Sequence, residues 1–152
     1  MCRQIGKFQN IKQVNAVLFS SKDEEWATPQ AFFDALNKEF QFTLDPCALH
    51  HNAKCSLYYT PIEDGLVQDW GGNIIFCNPP YGRKIAAWVE KCYHEAKKEN
   101  TKVVLLIPAR TDTAYFHNFI YKKAKEIRFV KGRLKFGNAR NSAPFPSMVV
   151  IF

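Results

Sequence analysis

The chain has 152 residues, 47% hydrophobic and 14% aromatic, which suffices for one domain with a real core and excludes a disordered chain. Its net charge is +7, and Arg83 to Arg140 holds 15 of the 21 lysines and arginines but only 5 of the 14 acids; so uneven a balance points to a polyanionic partner, with a merely solvated basic surface as the plainer alternative. No apolar run approaches a membrane span and no signal-peptide core is visible, so a soluble cytoplasmic protein is expected, its five cysteines reading as free thiols.

Residues 1–14 are polar and aperiodic and read as a loose arm, with residues 15–152 forming a single domain. Val17-Leu18-Phe19 is a short apolar patch, and Ser20 to Glu25 a surface loop. Thr28-Pro29 opens a helix, Thr as N-cap and Pro in the first turn, and Phe32, Phe33, Leu36 and Phe40 recur at helical spacing. Phe42-Thr43-Leu44 reads as a strand with Asp45-Pro46-Cys47-Ala48 at its carboxyl end, the end where ligands sit in open α/β sheets. An ordinary Asp-Pro turn is the alternative. Cys47, His50, His51 and Cys55 contain enough ligand atoms for zinc, but adjacent histidines on one short segment are not a finger spacing, and a loop is the better reading. Ser56 to Thr60 suggests a second strand. Asp64-Gly65-Leu66 is a glycine turn, and Trp70-Gly71-Gly72 breaks the chain again.

The most informative stretch is Ile74-Ile75-Phe76-Cys77-Asn78-Pro79-Pro80-Tyr81. Four apolar residues read as a buried strand, and two prolines stop it, because neither offers an N–H to a neighbouring strand. The loop that remains is stiff, and a strand followed by a merely rigid turn is the plainer alternative. The Asn78 side-chain oxygen and the Pro79 carbonyl are acceptors that can take both hydrogens of a planar amino group, and Tyr81 can stack on the ring that bears it. Holding both hydrogens draws the nitrogen lone pair out of the ring, so that a poor nucleophile can attack a methyl donor.

Gly82-Arg83-Lys84 is a basic loop. Ile85, Trp88, Val89, Cys92 and Ala96 mark one face of a helix, and Val103 to Ile107 is a buried strand ending at Pro108-Ala109-Arg110. Arg110 is a candidate phosphate contact. Tyr115, Phe116, Phe119 and Ile120 mark a third helix. Ile127 to Val130 and Arg133-Leu134-Lys135-Phe136 alternate around Lys131-Gly132 and read as a hairpin, with Met148 to Phe152 as a last strand beside it. Residues 137–146 are a polar, Pro-containing loop within reach of nucleic acid.

From Val17 to Phe152 the chain resembles the short phage-encoded DNA adenine-N6-methyltransferases, which use S-adenosylmethionine. The resemblance is carried by the ordered set Glu25-Trp26-Ala27-Thr28-Pro29, Leu44 to Ala48, Asp64-Gly65-Leu66, Asn78-Pro79-Pro80-Tyr81, Leu106 to Arg110 and Gly132 to Phe136. It implies catalytic roles for Asn78, Pro79, Pro80 and Tyr81. It implies cofactor contacts from Trp26, Thr28 and Pro29, from Asp45, Pro46, Cys47 and Ala48, and from Asp64. It implies that Phe136 covers the second face of a flipped adenine, with ordinary core packing as the alternative; Arg83, Arg110, Arg133 and Lys135 are candidate DNA contacts, with simple solvent exposure as the plainer reading of Arg110. The first cofactor motif departs from the usual pattern, since Leu49-His50-His51-Asn52 stands where glycines are expected, and no acid ends the second strand to hold a ribose.

The expected fold is a compact, Rossmann-like α/β methyltransferase domain, its sheet mostly parallel with an antiparallel C-terminal hairpin and no separate target-recognition domain. Recognition is then short or relaxed, or shared within a homodimer, in the cytoplasm of a bacterial host if the gene is phage- or prophage-borne. Two rivals remain at this stage: a methyltransferase of RNA amino groups or protein glutamine amides, and a nucleic-acid-binding module without catalysis.

Overall fold

The computed structural model describes residues 26–152. The N-terminal arm, the Val17–Phe19 patch and the loop to Glu25 lie outside the described residues. The helix α1 (Gln30–Phe40) begins one residue later than the Thr-Pro pair suggests. Pro29, not Thr28, is its N-cap, and the Pro29 carbonyl accepts from the amides of Phe32 and Phe33, both at 3.1 Å. Thr28 makes no capping bond because its hydroxyl is engaged elsewhere. The helix ends where Gln41 turns left-handed and Asn37 accepts from the amides of both Gln41 and Phe42.

Six strands form one sheet: β1 (Leu44–Asp45), β2 (Leu57–Tyr58), β3 (Ile74–Cys77), β4 (Lys102–Pro108), β5 (Glu126–Phe129) and β6 (Ser147–Ile151). The order is β2-β1-β3-β4-β6-β5, with β2, β1, β3 and β4 mutually parallel and β6 antiparallel to both β4 and β5. This is the expected Rossmann-like sheet with an antiparallel end. The hairpin is a different matter. Residues 131–146 are irregular and Arg133–Phe136 is no strand. Gly132 and Gly137 turn the chain at φ 74° and 53°, and Phe136 is drawn into the core, so β5 finds its partner in β6 instead.

Alternating strand residues face two cores. On one side Ile75, Cys77, Val103, Leu105 and Ile107 pack with Trp88, Val89 and Cys92 of α2 (Ile85–Glu95). On the other, Phe76, Val104 and Leu106 pack with Phe33 and Leu36 of α1 and with Phe136 and Phe145. The third helix is a single π-turn, Phe116–Ile120, closed by the Tyr121 amide on the Phe116 carbonyl at 2.8 Å. Among the described residues no helix is long and apolar enough to cross a membrane.

Candidate active site

From β1 the chain crosses to β2 on one side and then returns to β3 on the other. That reversal opens a crevice at the carboxyl ends of β1 and β3, where ligands bind in such sheets. A cavity of about 630 Å³ lies there. Asn78 to Tyr81 line it, as do Trp26, Thr28, Asp45, Pro46, Cys47, Ala48 and Asp64; Pro29 does not, being spent on the helix start.

The Asn78 amide is held on three sides. Its Nδ2 donates to the Trp26 carbonyl at 2.7 Å and to the Thr28 hydroxyl at 2.9 Å. The Tyr81 hydroxyl donates to Asn78 Oδ1 at 2.9 Å. One lone pair of Oδ1 is left, and the Pro79 carbonyl accepts no bond among the described residues. Burial pushes the Tyr81 phenol far above its ordinary value, so the ring stays neutral and remains a donor. Burial likewise raises the Cys77 thiol well out of the nucleophilic range.

Around Tyr81 the aromatic rings pack closely. Trp26 lies 5.7 Å away and Phe145 lies 5.5 Å away, centroid to centroid. Phe136 meets Trp26 edge-on at 5.5 Å and Tyr81 at 6.1 Å, but it is 1% exposed and does not line the cavity. It is a core residue in this conformation, one layer behind the rings that face the cavity.

One wall of the cavity is built on Asp45. The residue is 4% exposed, and its two oxygens accept from the amides of Cys47 at 3.2 Å and Lys54 at 3.0 Å. Burial raises its pKa to about 6 against the pull of those two amides. These two bonds order the loop by folding its backbone around the carboxylate. Ala48 donates to the Tyr59 carbonyl and Tyr59 to that of Asp45, both at 3.0 Å, closing the loop on β2. Opposite, Gly65 approaches Pro46 so closely that a Cβ there would lie 2.0 Å from the Pro46 oxygen.

Sequence reasoning missed Lys54 and Lys84, both on the cavity wall. Lys54 bonds Gln30 Oε1 at 2.8 Å, and burial lowers its pKa while the Asp45 charge opposes that shift. No spacing rule marks a lone lysine nine residues past an aspartate. Among the described residues no cluster of His, Cys, Asp or Glu is arranged to hold a metal ion; His50 Nδ1 instead pairs with the Tyr58 hydroxyl at 2.9 Å. Arg83, Arg110, Arg133 and Lys135 are exposed and do not line the cavity. They share one edge of the sheet with it, since Phe129 pairs with Met148 and Pro108 with Ser147, which brings residues 130–146 to the carboxyl ends of β3 and β4.

A mostly parallel sheet with a crevice at its switch point and an Asn-Pro-Pro-Tyr loop at the rim defines a Rossmann-like methyltransferase. Residues 15–152 match the DNA N-6-adenine-methyltransferase (Dam) family, and the chain belongs to it. It is 31% identical over 140 residues to the DNA N-6-adenine-methyltransferase of Haemophilus phage HP1, covering 87% of this chain and 80% of that protein. It is also 31% identical over 111 residues to the protein of the same name from Escherichia phage T1, covering 72% of this chain and 45% of that one.

Proposed function

We propose that the chain methylates the N6 amino group of adenine in DNA, with S-adenosylmethionine as donor and with the target base turned out of the duplex. The observation that carries this reading is the Asn78 amide: both of its N–H groups are committed inward, so it offers the cavity only an acceptor. With the Pro79 carbonyl beside it, the loop suits a group bearing two hydrogens and nothing to accept. Such a group in duplex DNA is paired and stacked, so it must leave the stack to arrive here.

The cavity also fits the donor. Its volume lies within the ordinary range for cofactor sites, roughly 300–1,000 Å³. The donor's head group carries an ammonium, a carboxylate and a sulfonium. Asp45 would take the ammonium, and the ring of Trp26 and the turn at Asp64 would flank the remainder. When bound, S-adenosylmethionine supplies a methyl group activated by positive sulfur. The protein's part is to orient: Asn78 Oδ1 and the Pro79 carbonyl hold the two amino hydrogens, Tyr81 stacks on the base, and Trp26 supports Tyr81. Alignment of this kind is worth several orders of magnitude in rate without any covalent intermediate. The exposed arginines and lysines on the same edge would hold phosphates.

The test is to incubate the protein with labelled S-adenosylmethionine and unmethylated DNA, beside an Asn78→Ala control, and to digest the product to nucleosides. Label in N6-methyldeoxyadenosine that disappears in the variant is the expected result. A protein that binds the donor but leaves DNA unlabelled while labelling RNA refutes the proposal.

A further inference from the structure

We infer that the Thr28 hydroxyl and the Trp26 carbonyl form a lock that sets which way round the Asn78 amide faces. Thr28 is then a positioning residue for the methyl-accepting group, not a ligand of the donor. The inference rests on the reaction proposed above and concerns how the loop is made competent for it.

A carboxamide has nearly the same shape when its oxygen and nitrogen are exchanged, but the chemistry it presents is inverted. Turned one way, Asn78 offers an acceptor to the cavity; turned the other, it offers donors. The Trp26 carbonyl can only accept, so the Asn78 atom 2.7 Å from it must be the nitrogen. The Thr28 hydroxyl takes the second amide hydrogen at 2.9 Å, and Tyr81 fixes the oxygen from the other side. Thr28 is 6% exposed, so water is a poor substitute for it. The two anchors lie 50 and 52 residues before Asn78 in the chain, and therefore the loop is correctly turned only once the segment ahead of α1 has docked. The polarity so imposed also discriminates: a base with an oxo group in place of the amino group would set acceptor against acceptor.

The experiment compares the parent protein with Thr28→Val and Thr28→Ser. Steady-state rates are measured against donor and DNA, and hydrogen exchange of the Asn78 side-chain amide is followed by ¹⁵N NMR, its signals identified by their loss in Asn78→Ala. Thr28→Val should lower kcat roughly tenfold, the worth of one buried hydrogen bond, while the donor KM stays within about twofold. Amide exchange should quicken by a similar factor, and Thr28→Ser should recover both. Thr28→Ala takes the place of the valine variant if that one does not fold. A raised donor KM with kcat unchanged at saturation overturns the inference and makes Thr28 a donor ligand. So does unchanged exchange in the valine variant. A parent protein that transfers no methyl to adenine would sink the proposed reaction, and the exchange comparison would still decide the lock.

Discussion

Gly65→Ala tests the architecture of the cavity wall around Pro46. An alanine Cβ would stand 2.0 Å from the Pro46 oxygen and 3.1 Å from both the Pro46 carbonyl carbon and the Trp88 ring. Relief requires one backbone to retreat, and both are tethered. On one side Asp45 lies in β1, Cys47 is bound to its carboxylate and Ala48 is bound to Tyr59. On the other, the Gly65 carbonyl accepts from Trp70 Nε1 at 2.9 Å and the Asp64 amide donates to Thr60 at 3.0 Å. Overpacking costs about 1–3 kcal/mol, and with rigid atoms on both sides the upper end applies, about 3 kcal/mol. For a domain of this size that lowers the melting temperature by roughly 6–12 °C. Donor binding should weaken as well, because Pro46 and Gly65 both line the cavity. Gly72→Ala is the control: nothing lies within 4 Å of its Cβ, and only the strain of a φ of 76° remains, about 1 kcal/mol. Thermal melts and calorimetric titration with S-adenosylmethionine read the two effects. A Gly65→Ala protein that melts within about 2 °C of the parent and binds donor normally would refute the reasoning.

The remaining predictions concern charge. The Asp45 pKa rises from 3.8 unfolded to about 6 folded, so the folded state holds more protons between those values. Its contribution to stability is therefore present at low pH and lost as pH rises through that window, about 3 kcal/mol in all. Donor binding has the opposite sign, since the ammonium needs the ionised carboxylate: affinity should fall about tenfold per pH unit below 6, and a flat profile would remove Asp45 from the donor site. Burial pushes the Glu95 carboxyl up, but Lys91, Lys98 and the Trp70 amide outweigh it and hold the group below its ordinary 4.5. Glu95 thus stabilises above that pH and loses its contribution as pH falls. Glu95→Ala, which strands a buried Trp70 N–H bonded at 3.0 Å, should cost about 3 kcal/mol in a denaturant melt. If Arg110 and Lys135 each meet a phosphate, replacing either by alanine should reduce the salt dependence of DNA binding by about 0.9 in log–log slope, whereas an unchanged slope would place that residue off the DNA.

The sequence by itself determined what local chemistry can determine. Four apolar residues before two prolines dictate a strand and a stiff loop, wherever the rest of the chain goes, and that stretch already implied an amino-group substrate. The run from Val103 to Ile107 announced a strand buried on both faces, and the spacing of Ile85, Trp88, Val89 and Cys92 announced the helix packed against it. Tertiary structure decided whatever depends on partners distant in the chain. Thr28 looked like a helix cap because Thr before Pro usually is one, but its hydroxyl serves a residue 50 positions away. Arg133–Phe136 alternated like a strand, yet the same alternation also suits a loop that sends Leu134 and Phe136 inward, and burial of those side chains outweighed another row of ladder bonds. The close pass of Gly65 against Pro46, and Asp45's capture of the Cys47 and Lys54 amides, depend on how segments meet. Pattern along a chain records which residues seek burial; only the packed fold records which of them reach each other.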